Sequence, residues 1–332
     1  MGNTKLNNAK EAKLDEFYTQ IKDIEYEVKN YKHHFKGKTV LCNCDDPRVS
    51  NFFKYFALKF KDLGLKKLIC TCYKNQDIDL FSSHNSEQAV YYIYEGTPEL
   101  DHIPTEDEIE VKYLKGDGDF RSDECIELLK EADIVCTNPP FSLFREYIAQ
   151  LVKNNKKFLI IGTMNAIHYS EIFPLIKENK IWCGYTFNKT LQFAMPDKYE
   201  KYDHINEKGE KIGKVPAIVW FTNLDTERRH EDLILYKKYN PKEYIKYDNY
   251  DAINVDAVSD IPCDYYDTMG VPDSYLAQYN PQQFEIIGLG CGNLGKQIGV
   301  GKNYRGRTDL AYVDKDGVHK CPYSRILIRR TK

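Results

Sequence analysis

The stretch from Asp133 to Ile161 constrains the fold of this chain more than any other. Asp133-Ile-Val-Cys-Thr137 is a short apolar run with β-branched residues, the pattern of a buried strand. Asn138-Pro139-Pro140-Phe141 follows it directly. The two prolines fix φ and remove two backbone donors, so the carbonyls there only accept hydrogen bonds. Ser142 is placed to cap a helix in which Leu143, Phe144, Tyr147, Ile148, Leu151 and Val152 recur at helical spacing, and Phe158 to Ile161 is the next strand. Upstream, Ser122 is placed to cap another helix, with Asp123 and Glu124 in its first turn and Ile126 and Leu129 on one face. The tetrapeptide is therefore a strand-to-helix turn in a βαβ unit, where open α/β sheets bind ligands.

The same alternation begins earlier. A helix is predicted over Leu14 to Tyr31, a strand over Thr39 to Cys44 and a strand over Lys67 to Tyr73. Between the strands, Ser50 to Leu63 reads as a helix with Phe52, Phe53, Phe56, Phe60 and Leu63 on its inner face. Extended segments follow at Ala89 to Tyr94 and Ile109 to Leu114. Strands separated by helices predict an α/β fold, a doubly wound and mostly parallel sheet with helices on both faces. After Thr163 the pattern changes. Lys180 to Phe187, Val215 to Thr222 and Leu233 to Tyr236 read as strands with little helix between them, and Glu200 to Lys214 reads as a charged loop or hairpin. Tyr239 to Tyr279 is rich in Tyr, Asp and Pro without a clean period, so a smaller module is expected to start near Tyr236. At 332 residues and 42% hydrophobic content, the chain divides into segments 1–36, 37–235 and 236–332.

Several function classes drop out. No apolar run approaches the roughly 20 residues of a membrane span. Met1 to Lys10 lacks the apolar stretch of a signal peptide, and Leu6 breaks the N-myristoylation pattern. A cytoplasmic protein with no membrane partner is expected. Cys42-x-Cys44 and Cys70-x-Cys72 fall in strand candidates, where one intervening residue puts both thiols on one face. Buried reduced cysteines are expected there, and no metal. His33, His34, His168 and His230 show no pairing that demands catalysis and read as surface or core residues. Gly290-Cys-Gly292-Asn-Leu-Gly295 has the form of a dinucleotide fingerprint after Phe284 to Leu289, with Asp314 near the place of an acidic ribose ligand. Lys296 to Arg307 carries further glycines and poor periodicity, so no helix is expected after the motif and the stretch reads as a loop.

The formal charge of -3 is unevenly spread, since from Lys296 onward ten Lys and Arg face three Asp, a local +7 that leaves -10 for the rest. The tail thus carries a basic footprint of the kind that neutralises phosphates. Lys296, Lys302, Arg305 and Arg307, in a glycine-rich stretch with Tyr304, are the candidate nucleic-acid contacts, with a solvated loop beside a final strand Arg325 to Arg330 as the alternative.

The turn at Asn138 suits one kind of chemistry. An amine on an aromatic ring is a poor nucleophile, because its lone pair is delocalised into the ring. The Asn138 side-chain oxygen and the Pro139 carbonyl offer acceptors for its two N–H bonds and favour a pyramidal nitrogen with the lone pair directed outward. Direct displacement at a methyl sulfonium in line would follow, with positioning and polarisation in place of a strong base. Phe141 is placed to stack on the ring, worth about 1 to 3 kcal/mol by analogy with base stacking. An adenine inside a duplex would first have to be flipped out.

At these residues the chain resembles the amino-group DNA methyltransferases that use S-adenosyl-L-methionine, and more narrowly the EcoRI family of adenine-specific methyltransferases. Asp15-Glu-Phe-Tyr-Thr19 is similar to that family's N-terminal cofactor segment, and Cys42-Asn-Cys-Asp-Asp-Pro47 to its first-strand loop. Gly116-Asp-Gly-Asp-Phe120 resembles its third-strand acidic turn. Trp220-Phe-Thr-Asn223, Gly270-Val-Pro272, Tyr279-Asn-Pro281 and Phe284-Glu-Ile-Ile-Gly288 extend the likeness over most of the chain. The resemblance implies a class I, Rossmann-like methyltransferase, with 1–36 serving the cofactor, 37–235 catalytic and 236–332 recognising the DNA target. It implies that Asn138, Pro139 and Pro140 form the target-amine site and that Phe141 stacks on the adenine. It also implies cofactor contacts from Tyr18, Thr19, Cys42, Asn43, Asp45, Tyr73, Phe120 and Asp117 or Asp119. The implied partner is double-stranded DNA, bound by a monomer, either alone or in a restriction-modification system without a stable complex with a cognate endonuclease. Two departures from most such enzymes stand out. The first-strand loop lacks their glycines, as it does throughout the EcoRI family, and the second strand ends Cys70-Thr-Cys72-Tyr73 with no acidic ribose ligand before Asp77 and Asp79.

Three other readings are open at this point. One is an N-methyltransferase acting on RNA or on a protein glutamine, one is a nicotinamide-dependent oxidoreductase built on Gly290 to Gly295, and one is a catalytically silent nucleic-acid-binding protein using the basic tail.

Overall fold

The computed structural model describes residues 18–331 apart from 45, 49, 72, 74–88, 98–102, 196–199, 201 and 208. Asp15 to Phe17, Asp45, Cys72, Asp77 and Asp79 lie outside the described residues. The chain forms two compact units, one running up to Ala166 with Gly184–Leu224 added, the other made of Ile167–Cys183 and the chain from Asp225 onward. The second unit thus begins earlier than composition indicates. Within it, Asp225 bonds Arg229 and His230, and Gln283 bonds Leu233.

The first unit is built on a mixed sheet of Thr39–Asn43 (β1), Lys67–Thr71 (β2), Val90–Tyr94 (β3), Glu110–Tyr113 (β4), Ile134–Thr137 (β5), Lys157–Thr163 (β6) and Ile218–Thr222 (β7). Their order is β4-β3-β2-β1-β5-β6-β7. The neighbours β2, β1, β5 and β6 are parallel. By contrast, β3, β4 and β7 join antiparallel, so the parallel part is confined to the centre, where helices make the crossovers.

β1, β5 and β7 are buried at every position, as strands covered on both faces are. Alternation sends Val40, Cys42, Leu68, Cys70, Ile134, Cys136 and Trp220 into one apolar cluster with Phe52, Phe53, Phe56, Phe60 and Leu63. Cys42 and Cys70 are register partners inside it. Elsewhere in the unit, Phe144 of helix Phe144–Lys153 packs against Phe221 with ring centroids 5.2 Å apart. Gly162 makes that approach possible, since a Cβ there would come within 2.5 Å of the Phe144 ring.

Helix starts follow side-chain chemistry. Ser50 and Ser122 accept from Phe53 N and Cys125 N, each at 3.3 Å, and cap helices Asn51–Leu58 and Asp123–Glu131. Ser142 does not cap. Pro140 O accepts from Leu143 N at 3.0 Å, Phe141–Leu143 forms a 3-10 turn, and the helix starts at Phe144.

The N-terminal helix is shorter than its periodicity predicts, covering Ile21–Val28, because Tyr18–Thr19 is drawn into a strand paired with Phe193 and Ala194. Its Glu27 is fully buried and accepts from Tyr31 Oη, Tyr185 N, Thr186 N and Thr186 Oγ1 at 2.5 to 2.8 Å. Burial pushes the Glu27 carboxyl above its usual range, and the donors pull the other way. This clamp explains why Lys180 to Phe187 is not one strand. The N–H groups of Tyr185 and Thr186 go to Glu27, leaving only Trp182–Cys183 extended in a ladder. Leu191–Met195, which sequence patterning did not single out, pairs with Lys211–Val215, and the latter forms a hairpin with His204–Ile205 inside the charged segment.

The second unit contains Ile253–Asn254 (β8), Met269–Pro272 (β9), Phe284–Leu289 (β10) and Arg325–Arg330 (β11), in the order β8-β9-β11-β10. Met269, Val271, Tyr275, Phe284, Ile326 and Ile328 are buried in it. Leu233 to Tyr236 is not a strand, because the Gln283 amide bonds both backbone groups of Leu233 and takes the place of a strand partner. A helix does form in the glycine motif, Gly292–Gln297, against the expectation of a loop; it is six residues long, with Gly292 at φ 56 behind an extended Cys291. No described helix is long and apolar enough to cross a membrane.

Candidate active site

The carboxyl ends of β1 and β5 are fastened together by side chains. The Thr137 hydroxyl donates to the Asn43 carbonyl, and the Tyr147 hydroxyl donates to the Asn43 side-chain oxygen. Tyr147 is fully buried. Burial pushes its phenol well above the ordinary 10.0, which keeps it a donor. Its ring meets Phe120 edge-on, with centroids 5.0 Å apart, and Gln150 Nε2 donates to Phe120 O at 2.8 Å. One tyrosine thus joins the end of β1, the acidic turn at 116–120 and the helix behind the tetrapeptide. Asn138 follows Thr137 and is 8% exposed.

The loop after β1 has an unusual backbone. Cys44 sits at φ 87, a left-handed conformation that costs a non-glycine residue about 1 to 2 kcal/mol. Its N–H bonds Thr71 O at 3.1 Å, across to the end of β2. The turn that glycines usually supply is made here by a cysteine. Beyond it, Asn51 Nδ2 donates to Thr19 O at 2.8 Å, tying the N-terminal strand to this loop. Thr19 is 1% exposed, and its hydroxyl is buried with no hydrogen-bond partner among the described residues.

A family model described as adenine-specific methyltransferase EcoRI matches residues 5–331. The chain belongs to this family. Type II methyltransferase M.EcoRI of Escherichia coli is 48% identical, over 99% of this chain and 97% of its own length. Type II methyltransferases M.MgeORF184P of Mycoplasma genitalium and M.MpnI of Mycoplasma pneumoniae are 42% and 40% identical, each over 85% of this chain and 84% of its own length. No solved structure matches significantly. The chain is an S-adenosylmethionine-dependent, adenine-N6 DNA methyltransferase. The RNA or protein-glutamine, oxidoreductase and catalytically silent readings have no support from these relatives.

In the methyltransferase, Pro139 is buried, while Pro140 and Phe141 are half-buried and Phe141 packs against the main cluster. Phe120 is buried and Tyr73 exposed. The Cys42 side chain packs into the apolar cluster, on the side of the helices after β1, so it is not presented at the loop. Asp119 is committed to Arg121, whose Nε and Nη2 reach its two oxygens at 2.9 and 2.7 Å and hold its carboxyl below the usual range. Asp117 Oδ1 accepts from Asp119 N at 3.0 Å, and its other oxygen is unbonded among the described residues. The Tyr18 side chain lies outside the described residues, as Asp45 does.

Lys296, Lys302, Arg305 and Arg307 are exposed in the second unit, and among the described residues none is within ion-pair distance of a carboxylate. Asn303 shapes their loop, since its side-chain oxygen accepts from Arg305 N at 2.9 Å and Arg307 N at 3.2 Å. Sequence reasoning took Tyr147 only as one position of an apolar stripe and passed over Asn303 and Asn51. The signal for Tyr147 was its hydroxyl, which a buried tyrosine places on a partner.

Proposed function

We propose that methyl transfer takes place at the carboxyl ends of β1 and β5, with Asn138 and Pro139 holding the N6 amine of an adenine flipped from duplex DNA. The observation that carries this reading is the burial of Asn138, 8% exposed, directly behind a fully buried strand fastened to Asn43. A side chain held in that way loses little freedom when it binds, so its acceptor works at full strength. Asn138 and the Pro139 carbonyl accept the two N–H bonds and hold the nitrogen pyramidal, with its lone pair outward. Pro140 stiffens the turn, and Phe141 stacks on the flipped ring.

S-adenosyl-L-methionine fits groups carried at the ends of these strands and in the turns after them. Among the described residues Thr19 offers a buried hydroxyl without a partner and Asp117 an unbonded carboxylate oxygen, while Asn43 ends β1, Tyr73 follows β2 and Phe120 packs on Tyr147. When bound, the cofactor supplies an electrophilic methyl group on a sulfonium. We read the parallel centre β2-β1-β5-β6 as the Rossmann-like frame of a class I enzyme, and the second unit as the target-recognition module. There Lys296, Lys302, Arg305 and Arg307 contact the phosphate backbone of double-stranded DNA. The enzyme acts as a monomer in the cytoplasm, within a restriction-modification system and without a stable complex with an endonuclease.

The test is transfer of a tritiated methyl group from S-adenosylmethionine to duplex DNA, with digestion to nucleosides. Label is expected on N6-methyladenine with the wild type and not with Asn138→Ala. Label that survives the substitution contradicts the assignment of Asn138.

A further inference from the structure

The second unit holds a histidine–aspartate pair that the transfer chemistry does not use. His168 Nε2 lies 2.7 Å from Asp273 Oδ2. Asp273 is 5% exposed, and its other oxygen is buried with no partner among the described residues. Among the described residues the imidazole therefore supplies that carboxylate's side-chain hydrogen bonding. A carboxylate only accepts, so Nε2 carries a proton, and in the neutral ring Nδ1 is an acceptor. Among the described residues Nδ1 is neither buried nor bonded. Tyr323, 69% exposed, meets the His168 ring edge-on with centroids 6.0 Å apart.

A chain of contacts links this pair to the basic loop. Ser324 Oγ, next to Tyr323, is 3.5 Å from Cys291 Sγ, and Cys291 bridges to Asp309. Asp309 O accepts from Asn303 Nδ2 at 3.2 Å, and Asn303 sets the backbone of Arg305 and Arg307. A unit that offers cations without an ion pair among the described residues, and an acceptor beside an exposed aromatic ring, suits DNA. The cations face phosphates and the acceptor faces a base edge.

We infer that His168 is a specificity-determining residue whose Nδ1 accepts from an amino group on a base edge of the target, with Asp273 fixing its tautomer and Tyr323 flanking it. This rests on the reading of the second unit as the target-recognition module. A phosphate offers no proton to an acceptor, whereas cytosine N4 and adenine N6 are the amino donors of the major groove. The contact therefore selects C or A at one position of the site.

The test profiles the adenines methylated by the full-length enzyme in a randomised duplex library, read by single-molecule sequencing. His168→Ala is expected to relax one C or A position other than the methylated adenine, with discrimination there falling about tenfold while the remaining positions keep theirs. His168→Lys keeps an N–H for Asp273 and carries no acceptor, so it is expected to relax the same position. It also serves as the readout if His168→Ala does not fold. A full wild-type consensus with His168→Lys shows that the pair is only a structural tie and overturns the inference. Duplex affinity that is unchanged when Arg305 and Arg307 are both replaced by Ala overturns the reading of the second unit beneath it instead.

Discussion

The turn at Asn138 and the loop at Arg305 hold their functional groups in opposite ways. Around Asn138 the polar side chains are buried and bonded to one another, Thr137 and Tyr147 both to Asn43. Around Arg305 the charged heads are exposed, and only the backbone is fixed, by Asn303. Buried hydrogen bonds set positions and are costly to break, whereas exposed cations act through a field that salt screens. On the proposed function, geometry belongs to the first unit and attraction to the second. Variants should therefore split cleanly into those that slow transfer and those that weaken DNA binding.

The largest effect is expected from Asn138→Ala, a fall in the single-turnover transfer rate on the order of 10² to 10³, as for loss of one preorganised polar contact in other transition states. Replacing Arg305 and Arg307 together by Ala should weaken duplex binding about tenfold or more at physiological salt and lower the salt slope by about 2. Equilibrium titrations at several salt concentrations measure both. Tyr147→Phe leaves the Asn43 oxygen buried without its donor, at a cost of about 1 to 3 kcal/mol. Calorimetry should show weaker S-adenosylmethionine binding, and thermal unfolding a lower midpoint. Asn303→Ala keeps both arginines but frees their loop, so DNA affinity should fall only about threefold, roughly the worth of one net hydrogen bond.

The smallest effect concerns pH. Arg121 holds the Asp119 carboxyl below its ordinary 3.8, so the pair stabilises the fold above that value and is lost as pH falls through the lowered one. The pair is partly exposed and worth about 1 kcal/mol at most. Asp119→Asn should be the less stable protein above pH 3.8 and converge with the wild type in acid unfolding as pH falls through the lowered value.

Much of this frame was legible because its signals are local. The strand–turn–helix around Asn138, the Ser122 cap and the strands Phe284–Leu289 and Arg325–Arg330 follow from period and capping within a few residues. What escaped depends on partners far apart in sequence. Tyr147 meets Asn43 across 104 residues, and Glu27 takes the Tyr185 N–H across 158. Such side chains redirect backbone donors that period alone would assign to a strand. The antiparallel flanks of the sheet and the strand Tyr18–Thr19 escaped for the same reason, since their pairing is set by tertiary context. The left-handed Cys44 shows the opposite limit, because nothing in its residue type announces that conformation.

The most direct test of this division of labour measures single-turnover methyl transfer and duplex affinity on the same samples of Asn138→Ala and the Arg305→Ala, Arg307→Ala pair. The expected result is a crossover. The Asn138 variant keeps wild-type affinity and loses the rate, while the arginine variant keeps the rate at saturating DNA and loses affinity. Wild-type transfer by the Asn138 variant at saturating cofactor and DNA would contradict the account.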